Sequence, residues 1–325
     1  MSGGSTGVGG TTSLGGSPGT GGTVYALTTF TPLCFGSDNY RIEDLTVGPD
    51  GNIWFAEIGG VGQNGIGYVT MDGQITEFPT PGDAPYGITK GADGKLWYAG
   101  GNVGASTTTG SIVSYPLPGN WGATDIAAGP DGNLWFLTSA NILTSPTYGI
   151  CRITPSGVVT EFAVPSPDQC LKRITAGPDH DVWYAAGCVP VTSPGLIGRV
   201  TMDGAVQEFP LTSEFAGADA IVLGPDGNLW FTEIAGRIGR ISVDGTIVEY
   251  DVGFMDHMPW AITVGPDGAL WFTDRKYGLG RITTAGKVTF STYSGPQCPD
   301  SSILTGPDGN MWFTCSNNNI YRFTP

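Results

Sequence analysis

Long hydrophobic runs, positive charge and histidine are all scarce in this 325-residue chain. No apolar stretch approaches the roughly 20 residues of a membrane-spanning helix, so no transmembrane segment is expected. Lys and Arg number 14 against 29 Asp and Glu, a formal net charge of −15. That balance argues against nucleic acid as a partner, because binding a phosphate backbone requires clustered cations. Charged residues make up 13% of the chain, too few for long solvated helices or a coiled coil. Gly-rich phosphate loops, nucleophile elbows and Cys-x-x-Cys pairs are missing as well. Of histidines there are two, His180 and His257.

What is plentiful is glycine and proline, at 53 and 24 residues, the composition of many short strands joined by tight turns. Eighteen of the first 22 residues are Gly, Ser or Thr and none is charged, so 1–22 reads as a flexible linker or tail and 23–325 as the folded domain. The basic and apolar regions of a secretory leader are not visible. Such a linker is compatible with a trimmed leader or a lipid-anchored residue upstream of it.

The motif Gly-Pro-Asp-Gly-Asn-Leu-Trp-Phe recurs with substitutions seven times, from Gly48, Gly91, Gly129, Gly177, Gly224, Gly265 and Gly306. Its tryptophans, Trp54, Trp97, Trp135, Trp183, Trp230, Trp271 and Trp312, are spaced by 43, 38, 48, 47, 41 and 41 residues. That period is the four-strand unit of a propeller blade. The expected fold is all-β, a seven-bladed β-propeller of four-stranded antiparallel blades. In the fifth repeat, strand a falls at Ala220–Leu223, b at Leu229–Glu233, c at Ile238–Ser242 and d at Thr246–Tyr250. Pro-Asp-Gly suits the tight a–b turn, and Trp-Phe supplies the apolar area between blades. The seventh repeat ends after its strand c (Ile320 to Thr324), and the strand-d-like Val24 to Phe30 is expected to complete it and close the ring.

The a–b and c–d turns lie on one face, the b–c and d–a loops on the other. Length varies mainly in the second set (Leu137 to Tyr148, Ala163 to Gln169, Gly187 to Gly195, Gly253 to Met258), which marks that face as the functional one. Cys170 with Cys188, and Cys298 with Cys315, each join a d–a loop to the end of strand b in one blade, within disulfide reach. Two bridges at equivalent places imply an oxidising, extracytoplasmic setting. Cys34 and Cys151 fall in different blades, and are either free or bonded between subunits.

Gly224 to Glu233 followed by Ile-Gly-Arg-Ile (Ile238 to Ile241) and Val-Glu-Tyr (Val248 to Tyr250) resembles the streptogramin B lyases, also called virginiamycin B lyases, over residues 23–325. The resemblance implies a seven-bladed propeller and a Mg-assisted elimination that linearises a cyclic depsipeptide. A histidine base removes a proton beside an ester carbonyl while a carboxylate-held metal polarises it. The family places such histidines in Pro-His-x-Ile, eleven or ten residues before the repeat tryptophan, in the sixth and seventh repeats. Here the residues eleven before are Glu43, Tyr86, Thr124, Lys172, Asp219, Trp260 and Ser301. Those ten before are Asp44, Gly87, Asp125, Arg173, Ala220, Ala261 and Ser302. None is histidine, and Pro299 and Cys315 stand where the seventh repeat would carry metal-binding glutamates.

The seven turn aspartates read as turn formers rather than calcium ligands, since almost all lack a second carboxylate at ligand spacing. Arg199, Arg240 and Arg281 on strand c are expected to face Glu208 or Glu249 on strand d as cross-strand ion pairs. His257 reads as a surface loop residue. The sequence thus points to an extracytoplasmic, non-catalytic binding or scaffold module with no metal or cofactor. Its ligand or protein partner would meet Tyr86, Lys172, Asp219 and Trp260, with Glu57, Glu233 and Asp274 as carboxylates lining the funnel. Self-association through the N-terminal strand or tail is a further reading. The alternative is a Mg-dependent C–O lyase in which a displaced His257 works with Asp256 or Asp274.

Overall fold

The repeat's Asp-Gly pair decides where each hairpin bends. In six of the seven a–b turns the residue after Asp is a glycine at φ between +73° and +78° (Gly51, Gly94, Gly132, Gly227, Gly268, Gly309). That left-handed conformation is nearly free for glycine and strained for other residues. The fourth repeat puts His180 there at φ +64°. The turn Asp then accepts the indole N–H four residues on, as in Asp226 Oδ1 to Trp230 Nε1 at 3.0 Å, and does so in all seven repeats.

In the computed structural model, the residues described are 5–7, 11–15, 25–32, 40–60, 63–80, 82–118, 121–139, 148–166, 169–188, 194–213, 217–252, 257–275, 278–291 and 302–325, with side chains from Leu27 onward. The turns build seven antiparallel sheets. Blade 1 comprises Tyr40–Val47, Ile53–Gly59, Gly65–Val69 and Ile75–Pro79. Blade 5, cut by the same rules, comprises Ala218–Leu223, Leu229–Glu233, Arg237–Ile241 and Ile247–Asp251. The innermost strands a touch one another in sequence around a ring, from blade 1 to blade 7 and back to blade 1. The seven-bladed, all-β expectation holds. In the last sheet Tyr25–Phe30 pairs antiparallel with Ile320–Phe323, Leu27 opposite Phe323.

Two further strands lie inside the Gly-rich segment that was expected to be a linker. Ser5–Gly7 pairs with Ile75–Pro79 of blade 1, and Thr11–Gly15 pairs with Tyr25–Phe30 beside blade 7. Both are outermost in their sheets, where backbone groups would otherwise be open.

Burial follows the pleat. Strand b is apolar on both sides because it has a neighbouring blade on each, and Trp54, Trp97, Trp135, Trp183, Trp230 and Trp312 are wholly buried. On the outer strand d burial falls away: in Ile112–Tyr115 and Val159–Phe162 the two end residues are half-buried and the two between them exposed.

The strand-c arginines do not pair with strand-d glutamates. Arg199 meets Asp179 and Asp181 (3.2 and 2.9 Å), Arg240 meets Asp226 (3.9 Å) and Arg281 meets Asp267 (2.5 Å). The reason is register: Arg240 stands opposite Val248, and Glu249 opposite Gly239. One residue along a strand is the other face of the sheet.

The Cys170–Cys188 disulfide is present, with Cα atoms 5.0 Å apart. Cys315 is also disulfide-bonded; its expected partner Cys298, and Cys34, lie outside the described residues. Cys151 is a free thiol, fully buried on strand c of blade 3 opposite Phe136, so the intermolecular option does not apply to it. Burial and the nearby Glu161 push that thiol up to about 12.

Replacing Asp226 by alanine is expected to orphan the buried Trp230 indole N–H and both bonds from Asn228. Loss of about 1–3 kcal/mol in denaturant unfolding is expected. His180→Gly relaxes the left-handed turn and is expected to stabilise by about 1 kcal/mol in the same assay.

Candidate functional site

Strand a enters each blade from the loop face, and there its ladder is broken. The register with strand b slips between Ile42 and Asp44, Ala123 and Asp125, Leu171 and Arg173, Ala218 and Ile221, and Pro259 and Ile262. Each slip is a bulge, which takes a residue out of the ladder and re-aims its side chain. The residues skipped are Glu43, Thr124, Lys172, Asp219 with Ala220, and Trp260 with Ala261. In blade 2, Tyr86 lies just ahead of strand a, its N–H bonded to Ala99 O at 2.8 Å. Six of the seven positions eleven before a tryptophan thus share one place in the fold, at or just ahead of the start of strand a. Ser301 lies outside the described residues.

The bulges are held in place by strand b. The hydroxyls of Thr232, Thr273 and Thr314, each two residues after its tryptophan, accept the N–H of Ala220, Ala261 and Ser302 at 3.0, 3.1 and 2.9 Å. Thr232 also donates to the Trp260 carbonyl oxygen of the next blade at 2.7 Å. Trp260 is therefore positioned by blade 5 as well as by its own. Its indole Nε1 is buried with no hydrogen-bond partner among the described residues, and so is Thr124 Oγ1. Lys172 and Asp219 form an ion pair at 3.8 Å between adjacent blades. Tyr86 is 45% exposed.

One step deeper, a cavity of about 350 Å³ is lined by strand a of all seven blades. Arg173 crosses it to Asp125 of blade 3 (2.9 Å) and Asp44 of blade 1 (3.5 Å). Asp44 also accepts from Ser302 Oγ (2.8 Å) and from Ile88 N (3.1 Å), and Asp125 accepts from Ile174 N at 2.8 Å. Burial pushes the Asp125 carboxyl up to about 6, against the pull of Arg173 and with help from Asp44. These carboxylates do not fit a divalent metal, because the guanidinium already occupies the space between them. Among the described residues no cluster of three His, Cys, Asp or Glu has metal-site geometry.

The strand-b carboxylates are not where the sequence placed them. Glu57, Glu233 and Asp274, expected to line the funnel, are fully buried. Neither Glu233 carboxylate oxygen has a hydrogen-bond partner among the described residues, and burial, then Glu249, push it up to about 8 against the opposing Arg237. Glu249 instead takes the Ser213 hydroxyl. His257 is no surface residue: it is 1% exposed, its Nδ1 lies 3.1 Å from Asp274 Oδ2, and its ring packs 4.7 Å from Phe290. Asp256 lies outside the described residues. No sequence signal marked that burial, since Phe290 and Asp274 reach His257 from two other strands.

The arrangement defines a seven-bladed propeller with a ring of bulged, chemically varied residues around a channel closed by an ion-paired arginine. The chain belongs to the virginiamycin B lyase family, which matches it over residues 22–235 and 189–325. A search of curated proteins found no match. Among solved structures it is similar to virginiamycin B lyase from Staphylococcus aureus, at 28% identity and TM-score 0.79, covering 93% of this chain and 99% of that one. A catalytically inactive histidine-to-alanine variant of that enzyme, solved with quinupristin, matches at 27% identity and TM-score 0.78, over 93% of this chain and 99% of that chain. The extracellular domain of a putative hybrid two-component system from B. thetaiotaomicron, BT3049, shares the fold at 15% identity and TM-score 0.65, over 88% of this chain and 40% of that one.

The raised Glu233 carboxyl binds its proton more tightly folded than unfolded. Its contribution to stability is therefore whole below about pH 4.5 and is lost as pH rises toward about 8. Thermal unfolding of the protein and of Glu233→Gln, compared across that window, is expected to diverge by up to ~1.4 kcal/mol per pH unit, with the variant more stable at the alkaline end.

Proposed function

We propose that this protein is an extracytoplasmic, non-catalytic member of its family that binds a ligand at the channel mouth. The observation that carries the proposal is the ring of bulge residues. It offers a Trp260 indole N–H without a partner among the described residues, the Lys172–Asp219 pair and a half-exposed aromatic ring at Tyr86, but no imidazole. Aromatic groups beside neutralised charges suit recognition, because they bury large area at small entropic cost. The Cys170–Cys188 bridge and the extracellular relatives of the fold support the extracytoplasmic setting.

The lyase alternative rests on one specific observation, the His257–Asp274 pair, which has the make-up of an oriented general base. Against it, His257 is 1% exposed and its ring packs onto Phe290.

Quinupristin, the compound solved with the inactive relative, separates the two. An elimination that opens the ring gives an isomer of equal mass, so the readout is chromatographic retention with fragmentation. The protein with Mg²⁺ is expected to leave the ring closed over many hours. An opened isomer that disappears in His257→Ala would establish the lyase and overturn the non-catalytic reading. For the binding half, the Trp260 indole N–H resonance is the reporter. A screen of neutral and cationic small molecules is expected to give compounds that move it in the protein and not in Asp219→Ala; a screen that never moves it sinks the mouth as a binding site.

A further inference from the structure

Beside the channel mouth, between blades 2 and 3, lies a second concavity of about 440 Å³, within the usual size of a small-molecule site. We propose that it binds one uncharged, hydroxylated ring, the pyranose unit of a neutral saccharide. The proposal rests on the loop face being a binding face and names a ligand class for one part of it.

Charge selects the class first. In a chain of net charge −15, no carboxylate or cation lines this pocket among the described residues. The hydrogen-bonding side chains that do are Asn64, Tyr86, Thr124 and Ser139, all neutral. Asp83, between the lining residues Gly82 and Ala84, is not itself part of the lining; it is buried, and its oxygens are engaged by Asn102 Nδ2 (2.7 Å), Ser114 Oγ (2.9 Å) and Tyr98 (3.4 Å).

Hydrogen bonding selects next. Thr124, at the bulge of strand a in blade 3, lines the pocket, and its Oγ1 is buried with no partner among the described residues. A hydroxyl both donates and accepts, and so does each hydroxyl of a sugar ring. A site with such a group discriminates strongly for ligands that complete the bond. Tyr86, 45% exposed, lends an aromatic face, the usual platform for the C–H face of a pyranose.

The glycines supply the third argument. A Cβ on Gly101 would come no nearer than 3.5 Å to Gly82 O, and one on Gly122 no nearer than 3.8 Å to Gly100 O. Neither has a left-handed φ. By contrast, Gly100 would strike Ala84 O at 2.7 Å, so packing explains it. The fold does not require glycine at 101 or 122; what glycine leaves there is room in the pocket.

The same two positions make the test clean. Saturation-transfer difference spectra would be recorded with methyl glucoside, methyl galactoside, cellobiose and chitobiose, and with glucuronate as the charged counterpart. At least one neutral saccharide is expected to bind with Kd on the order of 1 mM, and glucuronate at least tenfold more weakly. Gly122→Val, which fills the pocket, is expected to abolish the signal with its melting temperature retained, as is Gly101→Leu. Thr124→Val is expected to weaken binding about tenfold, and Thr124→Ser to restore it. Val158→Thr, on the exposed edge of blade 3, serves as the unchanged control. No signal from any neutral saccharide overturns the proposal. So does binding that survives both glycine variants; if such binding moves the Trp260 indole resonance, the ligand sits at the channel mouth and the proposed function stands without this pocket.

Discussion

One hydrogen bond, made seven times, organises the molecule: the indole N–H of each repeat tryptophan donated to the turn aspartate four residues earlier. A buried indole needs a partner for its single polar atom, and this one comes from the turn that also bends the hairpin. The glycine six residues before the tryptophan is part of the same device, since a Cβ at Gly224 would lie 2.3 Å from the Trp230 ring. The other carboxylate oxygen then takes an arginine from strand c, which lies over the ring, as Arg240 does 5.9 Å from the Trp230 centroid. A strand-d aromatic completes the stack, with Tyr250 at 5.6 Å.

That stack also joins the blades. The strand-d aromatic of one blade lies against the c–d turn glycine of the next, so a Cβ on Gly245 would meet Phe209 at 2.3 Å, and one on Gly286 would meet Tyr250 at 2.2 Å. The arginines reach across as well, Arg152 to Met202 O, Arg199 to Val243 O and Arg322 to Met71 O. Apolar packing supplies most of the energy of these seams. The polar contacts fix how neighbouring blades align, because a shift of one against the next would part the strand-c arginine from the carbonyl it reaches.

How much of this the sequence carried depends on which atoms a feature needs. The blades were legible because Pro-Asp-Gly and Trp act within eight residues of one another. The arginine partners were not, because choosing between Asp226 and Glu249 for Arg240 turns on a strand register that the c–d turn sets by a single residue. Cys151 was legible and overlooked: Ile-Cys-Arg-Ile at 150–153 aligns with Ile-Gly-Arg-Ile at 238–241, which places the thiol on strand c facing the core. Counting eleven back from each tryptophan found the ring of Glu43, Tyr86, Thr124, Lys172, Asp219 and Trp260, though not the bulge that brings its members to the channel mouth. The burial of Glu57, Glu233 and His257 came from neighbouring strands and blades, and single-strand reading cannot see those.

The bulge explains why this fold can exchange chemistry without losing stability. A residue in the ladder must satisfy the pleat on both sides; at a bulge that pairing is released, and in blades 5 and 6 the strand-b threonine hydroxyl takes the N–H of the following residue, Ala220 or Ala261. The side chain skipped there is then free to be indole, ammonium or carboxylate, as it is here at Trp260, Lys172 and Asp219. The residue just beneath has no such freedom, because Arg173, Asp44, Asp125 and Ser302 tie blades 1, 3, 4 and 7 together across the channel. That tie fills the space a cation would need, so replacing the mouth residues alone would not rebuild a metal site; the arginine beneath them would have to go too, and with it a contact that holds the ring.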